Sequence, residues 1–286
     1  MDALVEYAGP AECGGPLARL TLNSPHNRNA LSGALVSQLH QGLRDAAADP
    51  AVRVVVLGHT GGTFCAGADL SQSSAAGPSR PSGSPRGDRE RGTAERSGSP
   101  PSAYDMAVAR AREMTALLRA IVESPLPVIA AVKGHVRAGG LGLVGACDIA
   151  VAGPRSTFAL TEARIGVAPA IISLTLLPKL TPRAAARYYL TGETFDAGQA
   201  AEIGLITMAA DDVDAAVAAL VADVGRGSPQ GLAASKALTT AAVLEGFDRD
   251  AERLTEESAR LFVSAEAREG MLAFLQKRPP SWTTTR

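Results

Sequence analysis

The sequence predicts an α/β fold that ends in a helical region. Short apolar runs at residues 52–57 and 127–132 have the length and composition of buried strands. Between such runs, segments like 32–47 carry leucines at helical spacing, and from residue 213 this spacing continues almost to the end. Strands that alternate with helices indicate an α/β class, here with a helical appendage.

In the first part of the chain, we expect a pair of strands at 5–7 and 17–22, joined by the turn Gly14-Gly15-Pro16. Ser32 is predicted to cap a helix that runs to Ala47. The strand at 52–57 leads into a glycine-rich turn at 61–70.

Residues 71–102 consist mainly of Ser, Gly, Pro, Arg and Glu, with almost no large apolar residue. Such a segment buries too little surface to offset the entropy of ordering it. We therefore expect a disordered loop insertion. A lid over a site and a basic patch for a polyanion are the alternatives.

The second part begins with a helix at 104–122 and the strand at 127–132. The stretch 134–148, GHVRAGGLGLVGACD, predicts a tight glycine turn and a small-residue helix before a strand at 149–152. The elements expected after it are an extended piece at 157–160, an apolar helical run within 169–178, a helix from Pro182, a short helix at 195–201, a strand at 205–208, and helices from 213 broken near 225–229 and at Gly246.

The composition of the chain argues against several classes of protein. The net charge of −1 argues against a nucleic-acid-binding surface over the whole chain. Three widely spaced cysteines, Cys13, Cys65 and Cys147, make a disulfide framework or a metal site unexpected. No run is long enough to span a membrane and no basic leader opens the sequence, so we expect a cytoplasmic protein.

The central glycines indicate a binding turn. Gly139, Gly140 and Gly142 let the main chain approach a ligand closely. A helix that begins there directs unpaired N–H groups at the ligand. This arrangement suits a carbonyl oxygen that becomes negative during a reaction.

Six fragments, in order, resemble the enoyl-CoA hydratase/isomerase (crotonase) superfamily. The resemblance covers nearly the full length except 71–102. The fragments are LTLN at 20–23 with NAL at 29–31, FCAGADL at 64–70, AGG at 138–140 with ACDI at 146–149, residues 158–169, LTGE at 190–193 with 200–205, and the tail from Glu269 to Pro280.

The resemblance implies a spiral of ββα units over residues 1–210 and a helical trimerisation region over 211–286. It implies a homotrimer or a dimer of trimers. The substrate would be an acyl-CoA thioester that reacts through an enolate. No cofactor is expected beyond the coenzyme A that the substrate itself carries.

By position in the family, the main-chain N–H groups of Ala68 and Gly139 would form the oxyanion hole. Contacts to coenzyme A are implied for Arg28, Ala30, Ala66, Asp69, Leu70, and for Phe274 and Lys277 of the tail, which would reach the CoA of a neighbouring subunit. A solvated residue of the last helix is the alternative for Lys277.

The hydratases of the family use two glutamates, and here the pair is incomplete. Glu162 matches the second glutamate, which moves the proton at the α-carbon. The first would fall at Gly142, which we count among the substrate-contacting positions. An apolar pocket would raise the pKa of Glu162 enough for acid catalysis near neutrality. The alternative for Glu162 is a helix cap or a surface carboxylate beside Arg164.

We therefore predict an enoyl-CoA hydratase. A 3-enoyl-CoA to 2-enoyl-CoA isomerase with Glu162 as its sole acid and base is the alternative, and so is an acyl-CoA-binding protein without catalysis. A dehydrogenase with the GLGLVG stretch at 140–145 and a hydrolase using Ser173 with His135 are disfavoured. A dehalogenase would need a carboxylate at Ala170. Chain length and branching of the acyl group stay open.

Overall fold

The computed structural model describes residues 3–69 and 101–283. Within these residues the strands form two sheets. The larger one contains, in spatial order, β1 (Val5–Ala8), β2 (Leu17–Leu22), β3 (Val54–His59), β5 (Val128–Val132), β7 (Ile149–Ala152) and β10 (Met208–Ala209). The smaller one contains β4 (Thr63–Cys65), β6 (His135–Arg137), β8 (Thr157–Ala159) and β9 (Phe195–Asp196).

Successive strands alternate between the two sheets. In each of the pairs β3–β4, β5–β6 and β7–β8, the first strand joins the larger sheet and the second joins the smaller one. Neighbours within these series run parallel, while β1 and β9 pair antiparallel at the sheet edges. The chain therefore advances as a spiral of repeated strand–strand–helix units, and the predicted fold class is confirmed.

The helices of the described residues connect these strands and continue after the last one. They are α1 (Pro10–Cys13), α2 (Gly33–Ala48), α3 (Ala103–Glu123), α4 (Gly139–Ala146), α5 (Ser173–Leu176), α6 (Pro182–Thr191), α7 (Ala197–Glu202), α8 (Val213–Val224), α9 (Pro229–Phe262) and α10 (Ala265–Leu275). Ser32 caps α2 as predicted, because its hydroxyl accepts the N–H of Leu35 at 3.2 Å.

The larger sheet is buried on both faces. On one face, Val55 and Leu57 of β3 join the main core with α2 and α3. On the other, Val54 and Val56 pack in a second cluster with residues of α8. Strands of a parallel sheet covered by helices on both sides are nearly continuously apolar, which is why this strand was recognisable in the sequence.

Several expectations about elements were wrong. The short helix expected from residue 195 begins only at Ala197, because Phe195–Asp196 forms β9. Helix α9 continues through Gly246, because the adjacent Phe247 is buried in the core and one glycine costs a helix only about 1 kcal/mol. The strand expected at 205–208 is limited to Met208–Ala209. The stretch before Gly139, where only a tight turn was expected, contains β6, whose three residues are too few and too polar to show a period.

The segment 71–102 lies outside the described residues except for its end. Ser102 caps α3, accepting the N–H of Asp105 at 3.1 Å, and the carboxylate of Asp105 accepts the N–H of Ser102 in return at 3.0 Å. No helix in the described parts of the chain is both long and apolar enough to cross a bilayer.

A buried ion pair joins α9 to the core. Lys236 Nζ lies 2.8 Å from Asp148 Oδ2, with side-chain exposures of 4% and 17%. Nζ also donates to the carbonyls of Ile121, at 2.9 Å, and Leu126, at 3.0 Å, which flank the connection from α3 to β5. Asp148 in turn accepts the N–H of Val128 at 2.7 Å. Part of the predicted C-terminal region thus folds onto the core of its own chain.

We expect Lys236→Ala to lower the free energy of unfolding by about 3–5 kcal/mol, because it leaves the Asp148 carboxylate buried without its cation. Lys133→Ala is the matched control, since Lys133 pairs with Asp214 at the surface and should change stability by about 1 kcal/mol or less. Urea denaturation of both variants at one protein concentration measures the difference. Equal effects would show that the buried pair contributes no more than the exposed one.

Candidate active site

Two glycine-rich turns meet at the end of the smaller sheet. A Cβ atom built on Gly67 would lie 2.8 Å from Ala138 Cβ and 3.4 Å from the nitrogen of Gly139. Gly67 also has φ +91°, which favours glycine. The main chain that follows β4 therefore packs directly against the residues that begin α4.

Ala138 holds the second turn in an uncommon conformation. Its φ of 47° and ψ of −122° resemble the first central position of a type II′ turn, which glycine usually occupies. Strained main chain of this kind is concentrated at functional sites. Here it turns the peptide between Ala138 and Gly139 and thereby sets the direction of the Gly139 N–H.

The predicted oxyanion donors lie in these two turns. Leu31 N–H donates to Gly67 O at 2.8 Å and Asp69 N–H donates to Leu31 O at 3.3 Å, so the residues on both sides of Ala68 are fixed. Among the described residues, neither Ala68 N–H nor Gly139 N–H has a hydrogen-bond acceptor. Within the part of the chain that the structure describes, both groups thus have unused donor capacity.

The predicted CoA contacts of the first half lie on two adjacent loops. Ala66 N–H donates to Arg28 O at 3.1 Å, which brings Arg28, Ala30, Ala66 and Asp69 to one region. Arg28 is exposed and Ala30 is buried. Leu70 lies outside the described residues.

Asn29 organises these loops, a role that the sequence analysis did not assign. Its buried side chain accepts the N–H of Ser24 at 2.7 Å and donates to the carbonyls of Thr60, at 3.1 Å, and Thr63, at 2.8 Å. Its φ of 54° lies in the left-handed region that asparagine tolerates well. The motif that contains Asn29 was recognised, but a motif does not show what a side chain bonds.

Glu162 opens a short 3₁₀ turn, Glu162–Ile165, and is 8% exposed. Its Oε2 atom is buried and has no hydrogen-bond partner among the described residues. Burial in these surroundings raises the pKa of the carboxyl from 4.5 to about 7, and the hydrogen bond to its own main chain opposes the rise. Glu162 can therefore be an acid or a base near neutral pH.

The surface alternative for Glu162 is wrong. Arg164, its expected neighbour, donates instead to Thr191 O from Nε at 3.1 Å and from Nη2 at 2.9 Å. The Arg164 guanidinium is thus hydrogen-bonded to the end of α6. It does not neutralise the glutamate, which remains a desolvated carboxyl.

At Gly142, the space for a side chain is already filled. A Cβ atom built there would lie 2.4 Å from Cγ2 of Ile172 and 3.4 Å from Cδ1 of Leu118. Ile172 is β-branched, so its Cγ2 cannot swing away freely. A carboxylate at this position would therefore need Ile172 to move.

The nearest ionisable side chains do not replace the missing carboxylate. Arg137 donates to Thr157 O at 2.7 Å and to Thr157 Oγ1 at 2.8 Å, and His135 Nδ1 contacts the same hydroxyl at 2.8 Å. Both are therefore tied to the strand β8. Ser173 bonds Pro169 O and the hydroxyl of Tyr189, so it does not form the pair with His135 that the hydrolase alternative requires.

A dehydrogenase is disfavoured in the sequence because the strand expected at 127–132 ends well before the glycines, and the structure corrects that reason. A strand, β6, does end just before the glycines of 140–145. However, β6 belongs to the smaller sheet and the next strand, β7, to the larger one. A dinucleotide-binding βαβ unit has both strands parallel in one sheet, so this topology does not match it.

Two hydroxyl groups near Glu162 were not identified from the sequence as a pair. Ser173 Oγ lies 2.7 Å from Pro169 O and 3.2 Å from the hydroxyl of Tyr189. Burial raises the pKa of Tyr189 to about 12, and the charge of Glu162 contributes to the rise. Tyr189 is 27 positions from Glu162 on another helix, so no local motif could connect them.

The predicted tail contacts, Phe274 and Lys277, lie at the end of α10. Phe274 on α10 is 61% exposed, and Lys277, just after the helix, is exposed as well. Helix α10 itself packs closely on the turn that carries Glu162, since a Cβ atom on Gly270 would lie 2.5 Å from the carbonyl carbon of Ile165. A role for these two side chains at a neighbour's CoA stays a prediction.

The structure thus contains one buried carboxyl, Glu162, and two main-chain donors that have no acceptor among the described residues. A family model described as enoyl-CoA hydratase/isomerase matches residues 12–91 and 103–285. The match continues to residue 91, so it includes part of the segment for which the sequence analysis found no counterpart. The chain belongs to the enoyl-CoA hydratase/isomerase family, and the predicted resemblance is confirmed.

Individual relatives agree with this assignment. The chain is 32% identical to the enoyl-CoA hydratase EchA19 of Mycobacterium tuberculosis over 292 residues, covering 98% of this chain and 96% of that protein. It is 26% identical over 265 residues, covering 91% and 90%, to a peroxisomal Δ(3,5)-Δ(2,4)-dienoyl-CoA isomerase of Arabidopsis thaliana. A crystal structure of an enoyl-CoA hydratase from Mycobacterium avium is 76% identical, with a TM-score of 0.85 over 99% of this chain and 100% of that one.

We expect Gly142→Ala to lower the free energy of unfolding by about 1–3 kcal/mol, because the added methyl group overlaps Ile172. Gly246→Ala is the matched control, since nothing lies within 4 Å of a Cβ atom there and the site is inside α9. This control should gain about 0.5–1 kcal/mol. Chemical denaturation of both proteins tests the pair, and a Gly142→Ala protein as stable as the parent would contradict the close packing.

Glu162 should also make stability depend on pH. Below about pH 4.5 the carboxyl is protonated in both folded and unfolded chains, but between 4.5 and 7 the unfolded chain ionises first. Rising pH therefore removes stability across this window, by up to about 3 kcal/mol. We expect Glu162→Gln to be more stable than the parent at pH 8 and to lose this advantage near pH 4.5.

Thermal unfolding at a series of pH values measures this difference. Glu202→Gln is the control, because Glu202 is an exposed glutamate and its replacement should leave the pH profile of the parent unchanged. A constant difference between Glu162→Gln and the parent from pH 4.5 to 8 would show that the carboxyl is not desolvated in solution.

Proposed function

We propose that this protein is an enoyl-CoA hydratase, which adds water across the double bond of a 2-enoyl-CoA thioester. The observation that carries the proposal is the buried Glu162 carboxyl, whose pKa of about 7 lets it accept and return a proton near neutrality. Membership of the family and the hydratase names of its relatives support a CoA thioester as the substrate.

In the proposed reaction, the Glu162 carboxylate takes a proton from water while the water oxygen bonds to C3 of the substrate. The electron pair of the double bond moves toward the thioester, whose oxygen becomes negative. The N–H groups of Ala68 and Gly139 stabilise this oxyanion. The protonated Glu162 then delivers its proton to C2, which completes the addition of one water and restores the carboxylate.

Main-chain donors suit this role because they are fixed before the reaction begins. Gly67 and Ala138 hold the two peptides in place through contacts that do not involve the substrate. Losing one such donor costs about 3 kcal/mol in comparable sites. Ala68 and Gly139 need no functional side chain for this task, which explains the small residues at both positions.

The remaining assignments belong to the same proposal. Arg28, Ala30, Ala66, Asp69 and Leu70 bind the CoA moiety, and Gly142 borders the acyl group. The active unit is a homotrimer or a dimer of trimers, in which Phe274 and Lys277 reach the CoA of a neighbouring subunit. Exposed apolar side chains near the C-terminus, Leu272, Phe274, Leu275 and Trp282, support an interface there. The reaction needs no cofactor beyond the substrate's own CoA.

A second function is favoured by the packing of Ile172 against Gly142. A site with a single carboxylate can move a proton from one carbon of an enoyl thioester to another without water. The protein would then isomerise 3-enoyl-CoA to 2-enoyl-CoA, and a relative named as a dienoyl-CoA isomerase is consistent with this. Incubation with each substrate separates the two reactions. Hydration adds 18 Da to the acyl-CoA, whereas isomerisation leaves the mass unchanged and is detected by the ultraviolet absorbance of the conjugated 2-enoyl thioester that it forms.

We expect Glu162→Gln to lower kcat for either reaction by at least about 10²- to 10⁴-fold, because the amide can neither take nor return the proton. The Kd for a saturated acyl-CoA should change little, since the donors for the thioester and the CoA contacts remain. Glu202→Gln serves as the control and should keep full activity. Turnover by Glu162→Gln at the parental rate would remove Glu162 from the mechanism.

The same measurements distinguish an enzyme from a binding protein. A parent protein that binds acyl-CoA tightly but converts neither the 2-enoyl nor the 3-enoyl ester would contradict the proposed activity. It would instead favour the alternative of an acyl-CoA-binding protein.

A further inference from the structure

Two hydroxyl groups that bond to each other, those of Ser173 and Tyr189, have no role in the reaction described so far. The hydroxyls of Ser173 and Tyr189 are 3.2 Å apart, and Ser173 Oγ also lies 2.7 Å from Pro169 O. Both side chains are partly buried. Partly buried polar groups that bond to each other in a fixed arrangement are candidates for positioning a reactant.

The hydrogen-bond directions in this pair can be assigned. A serine hydroxyl has one hydrogen, and the short contact to Pro169 O, which can only accept, uses it. The hydrogen between the two hydroxyls must then come from Tyr189. Tyr189 therefore donates to Ser173 and keeps a lone pair that can accept a further hydrogen bond. Burial raises the pKa of Tyr189 to about 12, so the phenol remains protonated and the direction is preserved at neutral pH.

Contacts between elements connect Tyr189 to the turn of Glu162. Helix α6, which carries Tyr189, packs on the turn of Glu162, and Arg164 ties that turn to α6 through Thr191 O. Tyr189 is near enough to the carboxylate for the charge of Glu162 to affect the phenol. Ser173 directly follows Ile172, the residue that fills the space of the missing glutamate. Tyr189 thus lies on a helix that packs on the turn of the carboxyl that is present, and Ser173 is adjacent in sequence to the residue that fills the place of the absent one.

We propose that Tyr189, anchored by Ser173, is a positioning residue that holds the attacking water against Glu162. One hydrogen of the water is donated to the Glu162 carboxylate and the other to the lone pair of Tyr189. Both hydrogens are then engaged and the water oxygen is left free to attack C3. In a two-glutamate site a second carboxylate can accept the other hydrogen, and here a neutral phenol would do so. This inference rests on the proposed hydratase function.

The test separates steps that use water from steps that do not. Hydration of crotonyl-CoA needs a positioned water, whereas exchange of the α-proton of butyryl-CoA in D₂O needs only Glu162 and the oxyanion donors. We expect Tyr189→Phe to lower kcat for hydration by about 10- to 100-fold, the effect of one hydrogen bond close to a charged group. KM and the rate of α-proton exchange should stay within about twofold of the parent. Ser173→Ala should show a smaller loss of the same kind, since it releases the Tyr189 hydrogen.

Tyr188→Phe is the matched control. Tyr188 is the adjacent residue on α6, and its ring packs on Phe195 at a centroid distance of 4.1 Å, within the core. This variant loses the same atom from the same helix and should keep parental rates in both assays. Thermal unfolding of all variants identifies any that are merely destabilised.

The outcomes distinguish this inference from the proposed function. If the parent hydrates crotonyl-CoA and Tyr189→Phe equals Tyr188→Phe, the role of the hydroxyl pair is wrong while the hydratase stands. Equal losses of hydration and of exchange in Tyr189→Phe would also overturn it, because they indicate general damage to the site. If the parent exchanges the α-proton but hydrates no enoyl-CoA, both the hydratase function and the water-holding role are wrong.

Discussion

The site depends on the close approach of two stretches of main chain. The turn after β4 and the turn before α4 belong to successive units of the spiral, and Gly67 is the residue that lets them touch. Any side chain at Gly67 would collide with Ala138, and its φ of +91° adds a second reason for glycine. Because strands from successive units are parallel neighbours in the smaller sheet, their following turns lie at the same edge, which is how the fold brings two distant amides together.

The second constraint is the burial of the Glu162 carboxyl, which has no cation beside it among the described residues. Arg164, the nearest candidate in sequence, is held by Thr191 O, and among the described residues Glu162 Oε2 has no partner. Folding tolerates this because a carboxyl that stays protonated near neutrality loses less by burial than an ionised one. The raised pKa of Glu162 lowers the stability of the folded chain at high pH. The same raised pKa lets the carboxyl work as both acid and base near neutrality.

The sequence was sufficient for the fold class and for most elements, because buried strands such as β3 and β7 and capped helices such as α2 follow local rules. It was not sufficient where tertiary packing decides. Helix α9 continues across Gly246 because Phe247 anchors it in the core, and β6 exists because β4 and β8 flank it. For the site, the resemblance located Glu162 and Gly142, but neither the burial of the first nor the contact of the second with Ile172 is written in a local pattern. Asn29 and Tyr189 act through partners far away in the chain, so only the structure could connect them.

The packing of Ile172 against Gly142 also bears on how one glutamate could serve both halves of a hydration. A second carboxylate close to Glu162 would add like-charge repulsion and change its pKa further. Within the described residues, burial is the cause of the raised pKa of Glu162, and no acidic neighbour contributes. Its protonation is thus governed by solvent exclusion and by whatever binds in the site. An acyl group that displaces water would strengthen the exclusion, while one that leaves water beside Glu162 would weaken it. The balance between hydration and isomerisation should therefore depend on how completely the acyl chain fills the space next to Ile172, a property of the substrate as much as of the protein.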